Sequence, residues 1–122
     1  MKEGNVLREK SYAFALRVVG TGRELMEEQH EYVLSKQLLR SGTSIGANVE
    51  EAIGGQSTRD FEAKLSIAYK EARETHYWIR LLTDSHYLNH TAADTLLTDV
   101  DELQRIRGSI LRTLKNQRQN NN

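Results

Sequence analysis

The apolar residues of the chain recur at helical spacing in four stretches, which short polar segments separate. In the clearest stretch the spacing alternates between four and three residues, so that all members fall on one helix face. Its members are Phe61, Leu65, Ala68, Ala72, Thr75, Ile79 and Leu82. Ser57 and Asp60 precede them with the spacing of a capping box, whose side chains bond otherwise unpaired backbone amides. The pattern therefore predicts a helix over about 58–85.

Weaker versions of the same pattern predict a first and a last helix. The last one carries an apolar series at spacings of three and four: Leu96, Val100, Leu103, Ile106, Ile110 and Leu114. Thr91 and Asp94 form a second capping box in front of this series, which predicts a helix over about 92–117. Near the start of the chain, an apolar stripe that begins at Leu7 predicts a helix over about 6–28.

The remaining helix, over about 32–54, carries two neighbouring apolar series and should bury a wide arc of its surface. It also contains Gly42 and Gly46, each of which costs roughly 1 kcal/mol relative to alanine inside a helix. Close approach of another backbone would offset that cost. A local kink or break at Gly42–Thr43 is the alternative explanation.

Four long helices with short connections predict an all-α fold. We expect an antiparallel up-down four-helix bundle that occupies residues 1–122 as a single domain. The chain contains no proline, which agrees with this expectation because proline interrupts helices.

Composition narrows the chemistry that the chain can perform. The absence of cysteine excludes disulfides, zinc–thiolate sites and a cysteine nucleophile. A hydrophobic share of 38% and a charged share of 28% suit a solvated helical protein better than a membrane span. No charged-then-apolar leader opens the chain, so we expect a cytoplasmic protein without a membrane partner.

Metal and enzyme signals are weak. A di-metal bundle site needs Glu-x-x-His on two helices and two further glutamates. The chain contains this spacing once, at Glu27 and His30, in a very polar segment. We therefore expect no enzyme, no metal and no cofactor.

Charge is balanced overall but segregated near the C-terminal end. The 17 basic and 17 acidic residues give a net charge of +0, which argues against nucleic-acid attraction by the whole surface. Residues 83–102 contain acids and no Lys or Arg, whereas residues 103–122 contain bases and no acid. The bases are Arg105, Arg107, Arg112, Lys115 and Arg118. This order either complements the helix dipole or forms a basic end that binds nucleic-acid phosphates.

Three polar residues of the second helix are predicted to have a structural or assembly role. Asn48 lies within an apolar series, and a buried asparagine can fix register and assembly state. Arg40 and Glu51 flank that series, where they could pair with charged residues of the third helix.

Trp78 is a candidate subunit contact. It shares a helix face with Ile67 and Leu81, outside the core stripe of the third helix, and tryptophan is enriched among interface anchors. The alternative is that Trp78 widens the core of the monomer.

Residues 34–52, with the sequence LSKQLLRSGTSIGANVEEA, resemble the signature of proteins encoded by 23S ribosomal RNA intervening sequences. Residues 61–68, 70–78 and 11–15 are also similar to that family, so the resemblance covers roughly residues 5–115. It implies a bacterial, cytoplasmic four-helix bundle that assembles as a ring-like homopentamer, with a poorly defined biochemical role.

Two functions follow as hypotheses. The first is a non-enzymatic, oligomeric scaffold or interaction protein. The alternative is an accessory factor that binds RNA or DNA through the basic end of the last helix. The accessory proteins of diversity-generating retroelements resemble this fold and bind a reverse transcriptase and nucleic acid, so this alternative implies a reverse transcriptase or other polymerase as a partner.

Overall fold

Four helices make up the computed structural model, which describes residues 2–120. They are α1 (Lys2–Gln29), α2 (Leu34–Ile53), α3 (Thr58–Asp84) and α4 (His90–Asn120), and residues 2–120 contain no strand. The all-α, four-helix fold that the periodicity predicts is confirmed. The largest differences lie at the start of α1 and at the end of α4, where the helices extend beyond the predicted bounds.

All four helices contribute to one hydrophobic core. α1 and α3 each pack against α2 and α4 but not against each other. In α3, every member of the predicted stripe from Leu65 to Leu82 is buried, and Phe61 is partly buried. The alternation of four and three residues therefore identifies the face of α3 that meets the core.

Two glycines of α2 allow α1 to approach closely. A Cβ at Gly42 would lie 2.8 Å from Cγ1 of Val18, and one at Gly46 would lie 3.3 Å from the carbonyl oxygen of Ser11. α2 continues without interruption from Leu34 to Ile53. The close approach that offsets the cost of these glycines is therefore present, and the alternative of a break in α2 at Gly42–Thr43 is wrong.

Helix α2 is capped by a residue that the sequence analysis did not identify. The Glu31 carboxylate accepts hydrogen bonds from the backbone amides of Val33 at 2.8 Å, Leu34 at 2.9 Å and Ser35 at 3.3 Å. The Ser35 hydroxyl donates in return to the Glu31 carbonyl at 2.7 Å. Glu31 is buried, with 7% of its surface exposed. It therefore satisfies amides that have no partner inside the helix.

The two predicted capping boxes have different outcomes. Ser57 accepts a hydrogen bond from the Asp60 amide at 3.1 Å, as predicted for the start of α3. At the start of α4 the prediction is wrong, because Asn89 caps the helix by accepting from the Ala92 amide at 2.8 Å. Asparagine is at least as good a cap as threonine, so α4 begins at His90, and Thr91 lies inside it.

Candidate functional site

The five basic residues of α4 do not share one surface. Three of them form no ion pair with residues 2–120 and are exposed: Arg105, Arg112 and Lys115. Arg118 is paired with Glu62 of α3, with 2.5 Å between Nη2 and Oε1. Arg107 lies over the ring of Tyr69, 4.5 Å from its centroid. The first three therefore reach solvent without an ion-pair partner among residues 2–120, and they are the bases most open to an external phosphate.

Part of the acidic stretch has partners on α1. Glu102 pairs with Lys10 at 3.0 Å, and Asp99 pairs with Arg17. These pairs are partly solvent-exposed, so each contributes on the order of 0–1 kcal/mol. Acidic residues in the first half of α4 thus pair with bases of α1, whereas the second half of α4 carries exposed bases.

Arg40 and Trp78 meet at one carboxylate between α2 and α3. Arg40 pairs with Glu74 and, at 3.3 Å, with Glu71. The Trp78 indole donates to Glu74 at 2.9 Å. Glu51 pairs separately with Lys64 at 3.2 Å. Arg40, Glu51 and Trp78 therefore have partners within the subunit.

Asn48 is buried, but its partner belongs to its own helix. Its side-chain amide donates to the Ser44 carbonyl at 2.8 Å and lies 3.1 Å from the Ser44 hydroxyl. The buried polar contact between α2 and α3 is instead made by Ser41 and Thr75, whose hydroxyl oxygens are 2.9 Å apart. Thr75 belongs to the predicted core stripe of α3, although nothing in the spacing along either helix indicates that Ser41 and Thr75 pair.

Helices α1 and α3 expose apolar residues on their outer sides. On α1 these residues form a stripe at spacings of four and three, with exposed fractions of 65% for Tyr12, 58% for Leu16 and 38% for Val19. We call these three residues the α1 stripe. Its spacing marks a second apolar series on α1, facing away from the core, and sequence reasoning missed it.

On α3 the large exposed apolar residues are Ile67 and Tyr77. Ile67 shares its side of the helix with Trp78 and Leu81, both of which are partly buried. We call Ile67, Trp78 and Leu81 the α3 face.

A cleft of about 490 Å³ separates the middle of α3 from α4. Arg73, His76 and Arg80 line it from α3, and Gln104 lines it from α4. Tyr69 forms one wall, where the Arg73 guanidinium lies 3.1 Å from its hydroxyl oxygen. This hydrogen bond and the Arg73 charge lower the pKa of the Tyr69 phenol.

Arg107 is held behind Tyr69 in a partly buried position. Burial lowers the pKa of its guanidinium. Its Nε is buried and has no hydrogen-bond partner among residues 2–120. Such a donor is costly to leave unpaired.

Glu27 and His30 make up the single Glu-x-x-His spacing of the chain. Glu27 is exposed near the end of α1, and His30 follows that helix with its Nδ1 3.2 Å from the Tyr32 hydroxyl. Within residues 2–120, no group of three or more His, Asp or Glu side chains is arranged to hold a metal ion. No helix in the same residues is long and apolar enough to cross a membrane.

The family of 23S rRNA-intervening sequence proteins has a model that matches residues 3–109, and the chain belongs to this family. The chain is also similar to a protein of unknown function from the S23 ribosomal protein family of Bacteroides thetaiotaomicron. The two are 45% identical, with a TM-score of 0.89, and the match covers 90% of this chain and 98% of that one. Neither description includes a catalytic activity. No curated protein matches the chain.

Proposed function

We propose that the protein is a non-enzymatic, cytoplasmic scaffold that works as a homo-oligomer. The observation that carries this proposal is the pair of exposed apolar surfaces on α1 and α3, two helices that do not contact each other. A closed ring joins two different patches of neighbouring subunits. The α1 stripe of one subunit, seated on the α3 face of the next, provides such a contact.

The number of subunits in this proposal is five, as the family resemblance implies. Trp78 then belongs to the α3 face of each contact, whereas Arg40 and Glu51 support that face from within the subunit through the α2–α3 ion pairs. Exposed ion pairs contribute little to stability, so we expect Arg40 to matter mainly for the orientation of Glu74 and Trp78.

We also infer an antiparallel, up-down arrangement of the helices. Val18 lies against Gly42 and Ser11 lies against Gly46, so residue numbers fall along α1 as they rise along α2. The contacts of α1 with α4 run in the same sense, from Arg17 with Asp99 to Lys10 with Glu102.

Light scattering of two charge variants tests the oligomer. The wild-type protein is expected to have a mass of five times 14.0 kDa, and Leu16→Glu and Ile67→Glu are each expected to be monomeric. Because each variant keeps one intact surface, an equimolar mixture should form a dimer with one copy of each. Thermal unfolding of both variants serves as the control for folding.

Three results would contradict this proposal in different ways. A monomeric wild-type protein at micromolar concentration overturns the scaffold. If Ile67→Glu keeps the wild-type mass while Leu16→Glu is monomeric, the α1 stripes pair with each other instead. If neither substitution changes the mass, the subunits associate through another surface.

A second candidate function is nucleic-acid binding by the outer side of α4. The observation that favours it is the set of three exposed bases without ion pairs, Arg105, Arg112 and Lys115. Phosphate contacts of this kind make affinity strongly dependent on salt.

Fluorescence anisotropy with a labelled single-stranded RNA tests this candidate. Alanine at Arg105, Arg112 and Lys115 is expected to weaken binding and to reduce the slope of log K against log salt by about 2. The matched control places alanine at Arg23, Lys36 and Arg59, which are exposed bases elsewhere and give the same net charge. This candidate is ruled out if both triple variants lose the same amount of RNA affinity, or if the wild-type protein does not bind the RNA at low salt.

A further inference from the structure

The cleft between α3 and α4 combines an exposed aromatic ring with unpaired positive charges. Arg73 and Arg80 line it, and neither forms an ion pair with residues 2–120. The one acidic side chain in its lining, Asp101, belongs to α4. Two guanidinium groups facing one carboxylate leave the cleft positive. Its volume of about 490 Å³ is in the range of small-molecule sites.

Tyr77 stands between the two arginines along α3. It is one turn after Arg73 and less than one turn before Arg80, so its ring and both guanidinium groups lie on the same side of the helix. Two turns of helix separate Arg73 from Arg80, about 10 Å along the axis. The spacing places one cation on each side of the ring.

The ring of Tyr77 is held but not covered. It makes an edge contact with Trp78, with ring centroids 5.0 Å apart and an interplanar angle of 75°. About half of the Tyr77 surface, 52%, remains exposed. An aromatic ring fixed in this way can stack on a flat ligand at little entropic cost. Stacking of a base on such a ring typically contributes substantially to nucleic-acid affinity.

The other tyrosine that lines the cleft, Tyr69, already contacts two arginines of the protein. Arg107 covers the ring of Tyr69, and Arg73 bonds its hydroxyl. Tyr69 therefore positions the two guanidinium groups beside it. Gln104 and His76 add groups that can bond a polar ring edge.

We propose that the α3–α4 cleft binds a nucleotide unit, with its base stacked on Tyr77 and phosphate held by Arg73 and Arg80. Guanidinium groups match phosphate oxygens with paired hydrogen bonds. A free nucleotide and a short segment of single-stranded nucleic acid share this chemistry. The inference does not rest on the oligomer, and its residues on α3 differ from the three α4 bases of the second candidate function.

Isothermal titration with three probes distinguishes the sources of such a unit: adenosine monophosphate, a short single-stranded oligonucleotide and inorganic phosphate. Saturable binding of the mononucleotide indicates a small-molecule site, and binding of the oligonucleotide alone indicates a single strand. Either result supports the proposal when inorganic phosphate binds more weakly. Equal affinity for phosphate alone overturns it, because the ring then contributes nothing.

Single substitutions locate the binding. Arg80→Ala and Tyr77→Ala are each expected to weaken binding of the preferred probe roughly tenfold. Arg59→Ala is the matched control, since Arg59 is an exposed arginine of the same helix outside the cleft. All variants are compared by their thermal midpoints so that unfolding is recognised.

Three outcomes overturn the inference. The first is that no probe shows saturable binding at millimolar concentration. The second is that Arg59→Ala and Arg80→Ala lose the same amount of affinity, and the third is that Tyr77→Ala keeps the wild-type affinity. If the triple α4 variant loses binding while the α3 variants keep it, the second candidate function survives and the cleft does not take part.

Discussion

Gly42→Val is expected to lower the free energy of unfolding by about 3 kcal/mol, near the upper end of the usual cost of overfilling a packed core. A Cβ at this position would lie only 2.8 Å from Cγ1 and 2.9 Å from Cγ2 of Val18. Val18 is fully buried, and its branched side chain has few alternative rotamers. The clash must therefore move α1 away from α2 rather than one side chain.

Urea denaturation followed by circular dichroism measures this loss. Gly108→Val in α4 is the control, because the nearest heavy atom to a Cβ there is a terminal nitrogen of Arg112 at 3.5 Å. Valine is slightly more favourable than glycine inside a helix, so this variant should stay within about 0.5 kcal/mol of wild type.

A second substitution at Val18 tests the cause. Val18→Ala alone should cost roughly 2 kcal/mol because it empties buried space. Combined with Gly42→Val it nearly conserves the core volume, so the double variant should be more stable than the sum of the two losses predicts by at least about 1 kcal/mol. Additive losses would mean that the glycine does something other than admit Val18.

Local periodicity predicts much of this fold because each helix buries one continuous face. The stripe of α3, the capping serine at position 57 and the close approach at Gly42 all follow from residues at most a few turns apart. The wrong start of α4 has a local cause too. Asn89 and Thr91 are two residues apart, and both residue types are good helix caps. Backbone geometry therefore decides which of them caps α4, and Asn89 does so.

The contacts between helices depend on how the helices rotate about their axes, which spacing alone does not determine. Arg107 and Tyr69 are 38 positions apart, yet they stack in the α3–α4 contact. Along α4 alone, its bases show no interleaved aromatic residue. The packing of α3 against α4 places Tyr69 and Tyr77 in the cleft between these two helices. Ser41 and Thr75 form a buried pair for the same reason.

The α1 stripe is different, because the sequence contained its signal. Tyr12, Leu16 and Val19 repeat at helical spacing on the side opposite to the core residues of α1. In the homo-oligomer that we propose, the α3 face of a neighbouring subunit covers this stripe. Because the stripe lies outside the core of the monomer, we expect Leu16→Glu to change the mass of the assembly more than the stability of the subunit.

Glu31→Ala is expected to destabilise the protein by about 2–4 kcal/mol. Loss of a helix cap costs about 1 kcal/mol, and a buried amide left without an acceptor adds roughly 1–3 kcal/mol. The Ser35 amide is the group most affected, since Ser35 is fully buried and bonds the Glu31 carboxylate at 3.3 Å. The helix dipole also favours a negative charge at this end of α2.

Two further variants separate the cap from the charge. Glu31→Gln keeps an acceptor oxygen but loses the charge, so it should cost about 1 kcal/mol, clearly less than alanine. Glu28→Ala, at an exposed position near the end of α1, should stay within about 0.5 kcal/mol of wild type. Equal unfolding free energies for Glu31→Ala and Glu28→Ala would show that the α2 amides find other partners. If glutamine instead destabilises as much as alanine, the interaction depends on the charge of Glu31 rather than on its hydrogen bonds.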